Sequence, residues 1–380
     1  MVVERDDISE ILKDYDKSEI TIGTIGSHSA LQILSGAKKE GFKTLNMVTK
    51  ERKEVYNAYP LARPDYSLEV KSYKEILDKD FQLKLTEKNV VIIPHGSFVE
   101  YVGAENILND FHVPIFGNRE SLVWEADRSK QREWLEGKAG LKMPREFKID
   151  EINNLSIVKL HGAKGGKGFA RARNPKEVSE SLEYMKEKGL ISEEDLQGDL
   201  TVQEYIDGAR YYLHYFLSKF SDDFGVPVYH RGRRLGNLLL SSIDRRDETN
   251  IDDIHRTGLN PEELKEVGIV PTYTVAGNIP LVARESLLPK IYKMGEKTVE
   301  ASDDLFPPGI NGPFCLETFC RPNLDFVVFE ISGRIVAGTN LYISGSPYLD
   351  MVEEGLSTGR LIAREIKKGI EKDKLDEIIY

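Results

Sequence analysis

Short apolar runs alternate with amphipathic stretches over the first third of the 380-residue chain. Residues 30–40 have helical spacing and end before Gly41, a residue type suited to a helix C-terminus. Strands are predicted at residues 20–25, 44–48, 90–93 and 113–117, and a further helix, beyond this region, at residues 127–142. The alternation of strands and helices predicts a doubly wound α/β domain at the N-terminus.

Two loops of this domain carry Ser and His directly after a predicted strand. Residues 26–29 are Gly-Ser-His-Ser, and residues 94–97 are Pro-His-Gly-Ser. Ligands of open α/β sheets bind at the carboxyl ends of the strands, and helix N-termini there favour phosphate. The two loops therefore predict one shared site for a small phosphorylated ligand. The alternative is that Ser27, Ser29 and Ser97 are ordinary N-cap residues.

A glycine-rich segment follows in the second third of the chain. Residues 156–159 form a predicted strand that carries Lys159, and residues 162–168 contain four glycines. The spacing fits neither a Walker loop nor a dinucleotide-binding fingerprint. Glycines let backbone N–H groups approach phosphates closely, and Lys159, with Lys164 or Lys167, adds positive charge. We predict a phosphate-binding lid at this loop, with a surface hairpin as the alternative.

A strand predicted at residues 199–208 contains the sequence Gln203-Glu204-Tyr205-Ile206. It indicates a segment that passes between two lobes, and a nucleotide base commonly lies against such a hinge. Glu204 would be available there to an adenine amino group or to a ribose. The pattern has low specificity, because any buried strand looks similar.

Two glutamates lie on strands predicted in the last third of the chain, at residues 314–318 and 325–334. Glu317 is near the end of the first, and Glu330 interrupts the apolar run of the second. A buried carboxylate needs a partner, and two on adjacent strands can converge on Mg²⁺, which also takes substrate phosphates. Arg334 would then stabilise charge on a transferring phosphoryl group. Alternatively, Glu330 and Arg334 form a structural ion pair.

Composition narrows the classes of function. Hydrophobic residues make up 40% of the chain, charged residues 30%, and the net charge is −11, which fits a globular protein of two or three lobes and argues against nucleic-acid binding. There is no run of about 18 apolar residues and no apolar signal region, so we expect a cytoplasmic protein without a membrane span. Cys315 and Cys320 are predicted to be buried thiols. The basic stretch 230–234 is either a local phosphate site or a solvated hairpin.

These features together resemble the ATP-grasp superfamily. Several longer stretches are more specific, and they resemble the archaeal formate-dependent 5-formaminoimidazole-4-carboxamide ribonucleotide synthetases of purine biosynthesis. The resemblance covers nearly the whole chain. The stretches are residues 24–34, 243–252, 277–280 with 284–286, and 312–316.

The resemblance implies an ATP-grasp fold with an N-terminal Rossmann-like domain. The implied segments are 1–124 for that domain, 125–210 for the small lobe with the glycine-rich loop, and 211–380 for the large C-terminal lobe. The implied reaction joins formate to the amine of AICAR, the aminoimidazole carboxamide ribonucleotide, using ATP with Mg²⁺ or, alternatively, Mn²⁺. Members of the resembled family form trimers or hexamers, so a homo-oligomer is expected.

The resemblance also implies roles for single residues. Glu317 and Glu330 would hold the metal. Arg334 and His28 would be catalytic, with His28 orienting the amine or carboxamide or acting as general base. Contacts with AICAR would come from His28, Ser97 and Asn278. Contacts with ATP would come from Lys159, Lys164, Gly166, Gln203, Glu204, Tyr205 and Glu248.

Two features depart from the resembled pattern. Glu317 stands where Gln is expected in some members, and residues 229–237 look longer than the usual connection. Other interpretations stay open: an ATP-grasp ligase for another carboxylate and amine, a nucleotide-binding regulator without turnover, and, more weakly, an NAD-linked oxidoreductase. The sequence argues against the oxidoreductase, because no G-x-G-x-x-G motif follows the first predicted strand.

Overall fold

The computed structural model describes residues 2–159, 169–187, 189, 191–192, 200–269, 271–272 and 274–380. The strands of these residues form three sheets. Lys164 and Gly166, two of the predicted ATP contacts, lie outside the described residues, and so does the predicted lid. In the described part of the chain, no helix combines the length and the apolar character needed to cross a membrane.

The first sheet is parallel, with the strand order β3-β2-β1-β4. Its strands are β1 (Thr21–Ile25), β2 (Lys43–Thr49), β3 (Tyr66–Val70) and β4 (Val90–Ile92). The helices of this region are α1 (Arg5–Lys13), α2 (Ala30–Lys39), α3 (Lys50–Asn57), α4 (Lys79–Thr86), α5 (Gly96–Val102), α6 (Ala104–Asp110) and α7 (Arg119–Ala126). Ile22 and Val91 pack into one hydrophobic cluster, and Val90 and Ile92 pack into another. Both faces of the sheet are therefore covered, and the predicted doubly wound α/β domain is confirmed.

Two predicted elements differ from the structure. Residues 113–117 form only isolated bridges, because Pro114 lacks the N–H group that a continuous ladder needs. The helix predicted at 127–142 is shorter. It consists of α8 (Arg128–Arg132) and a π-helical turn (Glu133–Lys138), and it ends where Gly140 takes φ +60°.

The second sheet is antiparallel, in the order β5-β8-β6-β7. Its strands are β5 (Glu146–Phe147), β6 (Ser156–Lys159), β7 (Phe169–Ala172) and β8 (Thr201–Glu204), and helix α9 (Pro175–Glu187) covers one face. Val158 and Val202 pack with Val178 of α9. Because side chains alternate along a strand, Lys159 and Gln203 lie on the opposite face of this sheet.

The third sheet is antiparallel, in the order β10-β11-β9-β13-β14, and β12 pairs with β11. Its strands are β9 (Ala209–Ser218), β10 (Val226–His230), β11 (Arg233–Glu248), β12 (Val275–Pro280), β13 (Gly312–Cys320) and β14 (Phe326–Ser332). The remaining helices are α10 (Ile251–Thr257), α11 (Pro261–Glu266), α12 (Leu288–Leu305) and α13 (Thr358–Glu371). Apart from Ala209 and Arg210 at the start of β9, the strands of each sheet fall within one predicted segment. The boundaries at residues 124 and 210 stay predictions.

Helix α13 joins the third sheet to the first domain. A Cβ added at Gly36 of α2 would lie 2.2 Å from the carbonyl carbon of Gly359 of α13, so the two helices touch through glycine backbone. One hydrophobic cluster contains Ile22 of β1, Phe216 of β9 and Ile362 of α13. The first domain and the large lobe therefore share a core, which fixes the strand-end loops relative to β13 and β14.

The basic stretch 230–234 is a hairpin between β10 and β11. Its turn residues Arg231 and Gly232 have φ +49° and +78°, as a two-residue type I′ turn requires. Its basic side chains pair with three aspartates, Asp222, Asp303 and Asp304. This neutralisation supports the hairpin interpretation over a phosphate site. The two cysteines are free and buried, as predicted.

Candidate active site

The two Ser/His loops meet at the carboxyl edge of the first sheet. Ser27 Oγ and Ser97 Oγ lie 2.9 Å apart, and the rings of His28 and His95 stack with centroids 5.2 Å apart. The N-cap alternative is not supported. Ser29 precedes α2 without a side-chain capping bond, and Ser97 lies inside α5. The structure thus brings together the side chains that the sequence predicted to share a site.

Both imidazoles of these loops are held neutral at neutral pH. Burial lowers the pKa of His95 to about 4, and its Nε2 donates to the carbonyl oxygen of Ile25 at 3.0 Å. Burial also lowers the pKa of His28 well below its ordinary value, and nearby His95 and Arg334 lower it further. His28 Nδ1 lies 2.7 Å from Ser29 Oγ. A neutral imidazole can accept a hydrogen bond or a proton, which the predicted roles of His28 require.

Arg334 pairs with Glu125 and not with Glu330, so the alternative of a Glu330–Arg334 ion pair is wrong. Arg334 Nη2 lies 2.6 Å from Glu125 Oε1, and the Gly333 N–H donates to Glu125 Oε2 at 2.8 Å. Burial raises the pKa of Glu125, although the arginine opposes this effect. The guanidinium also borders the histidine loops, because Arg334 Nη2 would lie 3.2 Å from a Cβ placed at Gly96.

Asn278 of β12 is held by a buried Asp–His pair. Its Nδ2 donates to Asp244 Oδ2 at 2.7 Å, and Asp244 Oδ1 lies 2.5 Å from His214 Nε2. Asp244 and His214 are 1% and 2% exposed. A carboxylate only accepts, so the amide of Asn278 must turn its NH₂ group towards Asp244. Its Oδ1 makes no hydrogen bond to the described residues and can therefore accept an N–H from a ligand.

Residues 337–342 connect this network to the histidine loops. A Cβ at Gly338 would lie 2.1 Å from Asp244 Oδ1, so glycine is required at this close approach. Two residues later, Asn340 Nδ2 donates to the backbone oxygen of His28 at 2.9 Å. His28 and Asn278, from different domains, therefore border one cleft. Asn340 Oδ1 and Arg334 Nε are buried here without a partner among the described residues, as in a site built for a polar ligand.

Glu317 and Glu330 lie directly opposite each other on β13 and β14. Glu317 is 3% exposed and accepts from Arg246 Nη2 at 2.6 Å, and this guanidinium lies 3.9 Å from the ring centroid of Tyr212. Glu330 is exposed to solvent, so its predicted burial is wrong, although many protein atoms lie around it. Desolvation, and then the charge of Glu317, raises the pKa of Glu330 to about 7. Arg246 is also close enough to His28 to lower the pKa of that imidazole.

A divalent cation fits this carboxylate pair. Desolvation and the charge of Glu317 both disfavour the ionised form of Glu330, and a cation bound between the two carboxylates would offset both effects. Mg²⁺ is commonly held by one or two carboxylates and completes its shell with phosphate oxygens and water. The described residues contain no group of three or more His, Cys, Asp or Glu side chains that could hold a metal. Glu317 and Glu330 would therefore hold the ion jointly with substrate oxygens.

Lys159 ends β6 of the second sheet and is influenced by the charge of Glu330. Burial, and then the charge of Arg128, lowers the pKa of Lys159 to about 8, whereas Glu330 opposes the shift. The ammonium of Lys159 therefore lies within electrostatic range of Glu330. On the same face, Gln203 Nε2 donates to Glu146 Oε1 at 3.0 Å. The structure thus brings Lys159 and Gln203 to the face that is opposite α9.

Glu204 and Tyr205 end the second sheet at the junction of the lobes. The Glu204 carboxylate accepts from Arg145 Nε at 3.2 Å and from Arg321 Nη2 at 2.7 Å. Burial alone would raise the pKa of Glu204, but its bonds to Arg145 and Arg321 lower it. Tyr205 is 43% exposed. The carboxylate of Glu204 already holds two arginines, so an ATP contact through it stays a prediction.

Glu248 lies at the end of β11, beyond the carboxylate pair. It forms an ion pair with Arg210, whose guanidinium lies over the ring of Phe319. Burial raises the pKa of Glu248, and Arg210 opposes this effect. Its role at the ATP site also stays a prediction.

The fold and the cleft define the ATP-grasp class. The crystal structure of an IMP biosynthesis protein PurP from Thermococcus kodakaraensis is 30% identical, with a TM-score of 0.70, and covers 94% of this chain and 100% of its own. The biotin carboxylase domain of a Hydrogenobacter thermophilus 2-oxoglutarate carboxylase, crystallised with MgADP and bicarbonate, is 13% identical, with a TM-score of 0.54 over 91% of this chain and 69% of its own. The chain therefore has the predicted ATP-grasp fold with an N-terminal α/β domain.

Sequence comparison identifies the family. A family model described as a domain of unknown function (DUF1297) matches residues 177–380, and one described as a protein of unknown function (DUF1246) matches residues 22–147. The 5-formaminoimidazole-4-carboxamide-1-(beta)-D-ribofuranosyl 5'-monophosphate synthetase 1 of Methanosarcina mazei is 51% identical over 383 residues, covering 100% of both chains. The chain belongs to the family of these synthetases.

Proposed function

We propose that this protein is the ATP- and formate-dependent ligase that formylates AICAR in the formation of IMP. One observation carries the proposal beyond family membership. Arg246 donates to Glu317 at 2.6 Å and is also close enough to His28 to lower the pKa of that imidazole, so the loops that carry His28 and Ser97 lie near the carboxylate pair. A nucleotide acceptor and a phosphoryl donor can therefore meet in one place.

In the first step, a formate oxygen attacks the γ-phosphorus of ATP, and the bond to the ADP oxygen breaks. The products are formyl phosphate and ADP. Glu317 and Glu330 would hold a divalent cation, which supplies positive charge to the phosphates when bound. Lys159 and Arg334 bring further positive charge from the two sides of the cleft. Formate is a weak nucleophile, so alignment and charge neutralisation carry this step.

In the second step, the amine of AICAR attacks the formyl carbon, and the carbon–oxygen bond to phosphate breaks. The nitrogen loses a proton, and the products are the formamide and phosphate. Neutral His28 is suited to orient the amine or to accept this proton. Asn278 Oδ1 accepts an N–H of the nucleotide base, because Asp244 holds its NH₂ group. Formyl phosphate reacts readily with water, which must be excluded during both steps.

Several finer assignments belong to the same proposal. Mg²⁺ is the proposed metal, with Mn²⁺ as the alternative, because both take carboxylate and phosphate oxygens. A homo-oligomer, trimeric or hexameric, and a cytoplasmic location follow from the family resemblance. No nucleic acid or membrane partner is proposed.

The test is turnover with [¹⁸O]formate. The purified protein is incubated with Mg-ATP, AICAR and labelled formate, and each component is omitted in turn. We expect ADP release that depends on AICAR and formate, a formylated nucleotide, and one formate oxygen in the released phosphate. ADP release that is unaffected by omitting AICAR and formate would overturn the formate-dependent assignment. ATP binding without turnover would mean a regulator.

A further inference from the structure

Strand β14 ends against two helices that lie outside its own sheet. It is an edge strand of the third sheet, so only β13 pairs with it among the described strands. The Ile331 N–H donates to Gln131 Oε1 of α8 at 3.2 Å, and the Gly333 N–H donates to Glu125 Oε2 of α7 at 2.8 Å. Side chains of α7 and α8 therefore satisfy backbone groups that a further strand would otherwise pair.

The contact between α7 and the end of this strand is close as well as polar. Ser121 Oγ lies 3.2 Å from the carbonyl oxygen of Gly333, and a Cβ placed at Gly333 would lie 3.0 Å from the same hydroxyl. Gln131 Nε2 donates in turn to the backbone oxygen of Glu125 at 2.5 Å, which ties α8 to α7. The two helices therefore set the position of the backbone that leads from Glu330 to Arg334.

The carboxylate that holds this backbone also holds the guanidinium of Arg334. Glu125 accepts from Arg334 Nη2 through Oε1 at 2.6 Å, while its Oε2 accepts from the neighbouring N–H of Gly333. The side chains of Arg334 and Glu125 are only 12% and 9% exposed. Arg334 Nη1 donates to the carbonyl oxygen of Ile335 at 3.3 Å, and Nε is buried without a partner among the described residues. Protein groups thus hold both Nη atoms, and Nε is left for a ligand.

Resting on the proposed function, we propose that Glu125 is a positioning residue that aligns Arg334 for the transfer of the phosphoryl group to formate. A long arginine side chain loses much rotamer freedom when it is fixed, and Glu125 fixes it before the substrates react. The guanidinium then meets the developing negative charge without reorganisation. Both oxygens of Glu125 already accept from protein donors, so this carboxylate acts through Arg334 and not on the substrate. Gln131 supports the same geometry through the backbone of Ile331.

The test is a double-mutant cycle between Glu125 and Arg334. Glu125→Gln should lower kcat on the order of 10- to 100-fold, the range expected when a reacting group is slightly misplaced, and should change the KM for AICAR and for ATP less than about twofold. Arg334→Met should lower kcat at least as much. The double variant should match Arg334→Met in kcat within about twofold, because Glu125 then has no guanidinium left to align. Two independent losses would instead multiply.

Each kcat is expressed per folded molecule, with the folded fraction taken from circular dichroism, because Glu125→Gln leaves a buried charge unpaired. The double variant removes both charges, so its comparison with Arg334→Met holds even where Glu125→Gln does not fold. The matched control is Glu136→Gln, which breaks a glutamate–arginine pair at the surface and should leave kcat unchanged.

Two results would rule out the positioning role of Glu125. One is a kcat of Glu125→Gln equal to that of the wild type, which is what a role in folding alone predicts. The other is a further loss of kcat in the double variant relative to Arg334→Met. The wild-type protein separates these results from the proposed function, which fails only when AICAR and formate do not support ADP release.

Discussion

Replacing Asp244 with Asn perturbs a buried network that ends at a proposed AICAR contact. The carboxylate accepts from Asn278 Nδ2 at 2.7 Å and lies 2.5 Å from His214 Nε2. An amide at this position turns one N–H towards one of these two partners, so one charge-assisted bond is lost. At 1% exposure, water cannot replace it. We expect a loss of about 1.5–3 kcal/mol in the free energy of unfolding.

The same substitution frees the amide of Asn278 to rotate, so that either its Oδ1 or its NH₂ group can face the cleft. The KM for AICAR should rise about fivefold to tenfold, corresponding to one neutral hydrogen bond, while the KM for ATP stays constant. Urea unfolding and steady-state kinetics measure the two effects separately. Asp247→Asn, at an exposed position on the same strand, is the control and should alter neither quantity. A destabilised variant with an unchanged KM for AICAR would refute the reasoning that Asp244 orients Asn278.

Three further predictions use the same cleft. Glu330→Gln should lower turnover by at least about 100-fold, because it removes several kcal/mol of charge stabilisation, yet AICAR binding measured by calorimetry should persist; lost AICAR binding would contradict this. Glu125→Gln should cost about 3–5 kcal/mol in urea unfolding by leaving Arg334 buried and unpaired, and unaltered stability would argue against a structural pair. Protonation of His95 should lower the free energy of unfolding by about 3 kcal/mol between pH 6.5 and 4. The pKa of His95 is 6.5 in the unfolded chain and about 4 in the folded protein, so the unfolded chain takes up the proton first as the pH falls. His95→Gln should reduce that acid sensitivity in unfolding experiments at the two pH values, and an identical pH profile would refute it.

The sequence was sufficient to predict features that depend on local pattern. The two Ser/His loops follow apolar strands, and parallel strands place their carboxyl ends at one edge, so Ser27 and Ser97 could be expected to meet. Glu317 and Glu330 were likewise predictable as neighbours, because each lies in an apolar run that forms a strand. The strand predicted at residues 113–117 was wrong, because the prediction used apolar character alone and did not consider that Pro114 has no N–H group to donate.

The choice of side-chain partners could not be predicted in the same way. Arg334 is four residues from Glu330 in the sequence but pairs with Glu125, which is 209 residues away. Likewise, His214 and Asp244 stand on strands that pair only in the tertiary structure, so no spacing in the sequence marks them as partners. Such choices depend on strand register and on which groups are buried together, and both are settled by packing over the whole chain.

The packing also divides the cleft into two unequal halves. The loops of the first domain and the carboxylates of the large lobe belong to one body with a shared core, closed by the glycine contact between α2 and α13. Residues 134–143 pack into the core of the large lobe, whereas the second sheet has its own hydrophobic cluster with α9. This sheet meets the large lobe through the partly exposed ion pair Glu204–Arg321 at 2.7 Å, and such pairs contribute only about 0–1 kcal/mol. The acceptor site and the carboxylate pair are therefore built together, whereas Lys159 reaches them from the half that is held less strongly. An enzyme that must admit ATP and then exclude water from formyl phosphate needs this difference, because closing the small lobe alone completes the site without disturbing the bound nucleotide.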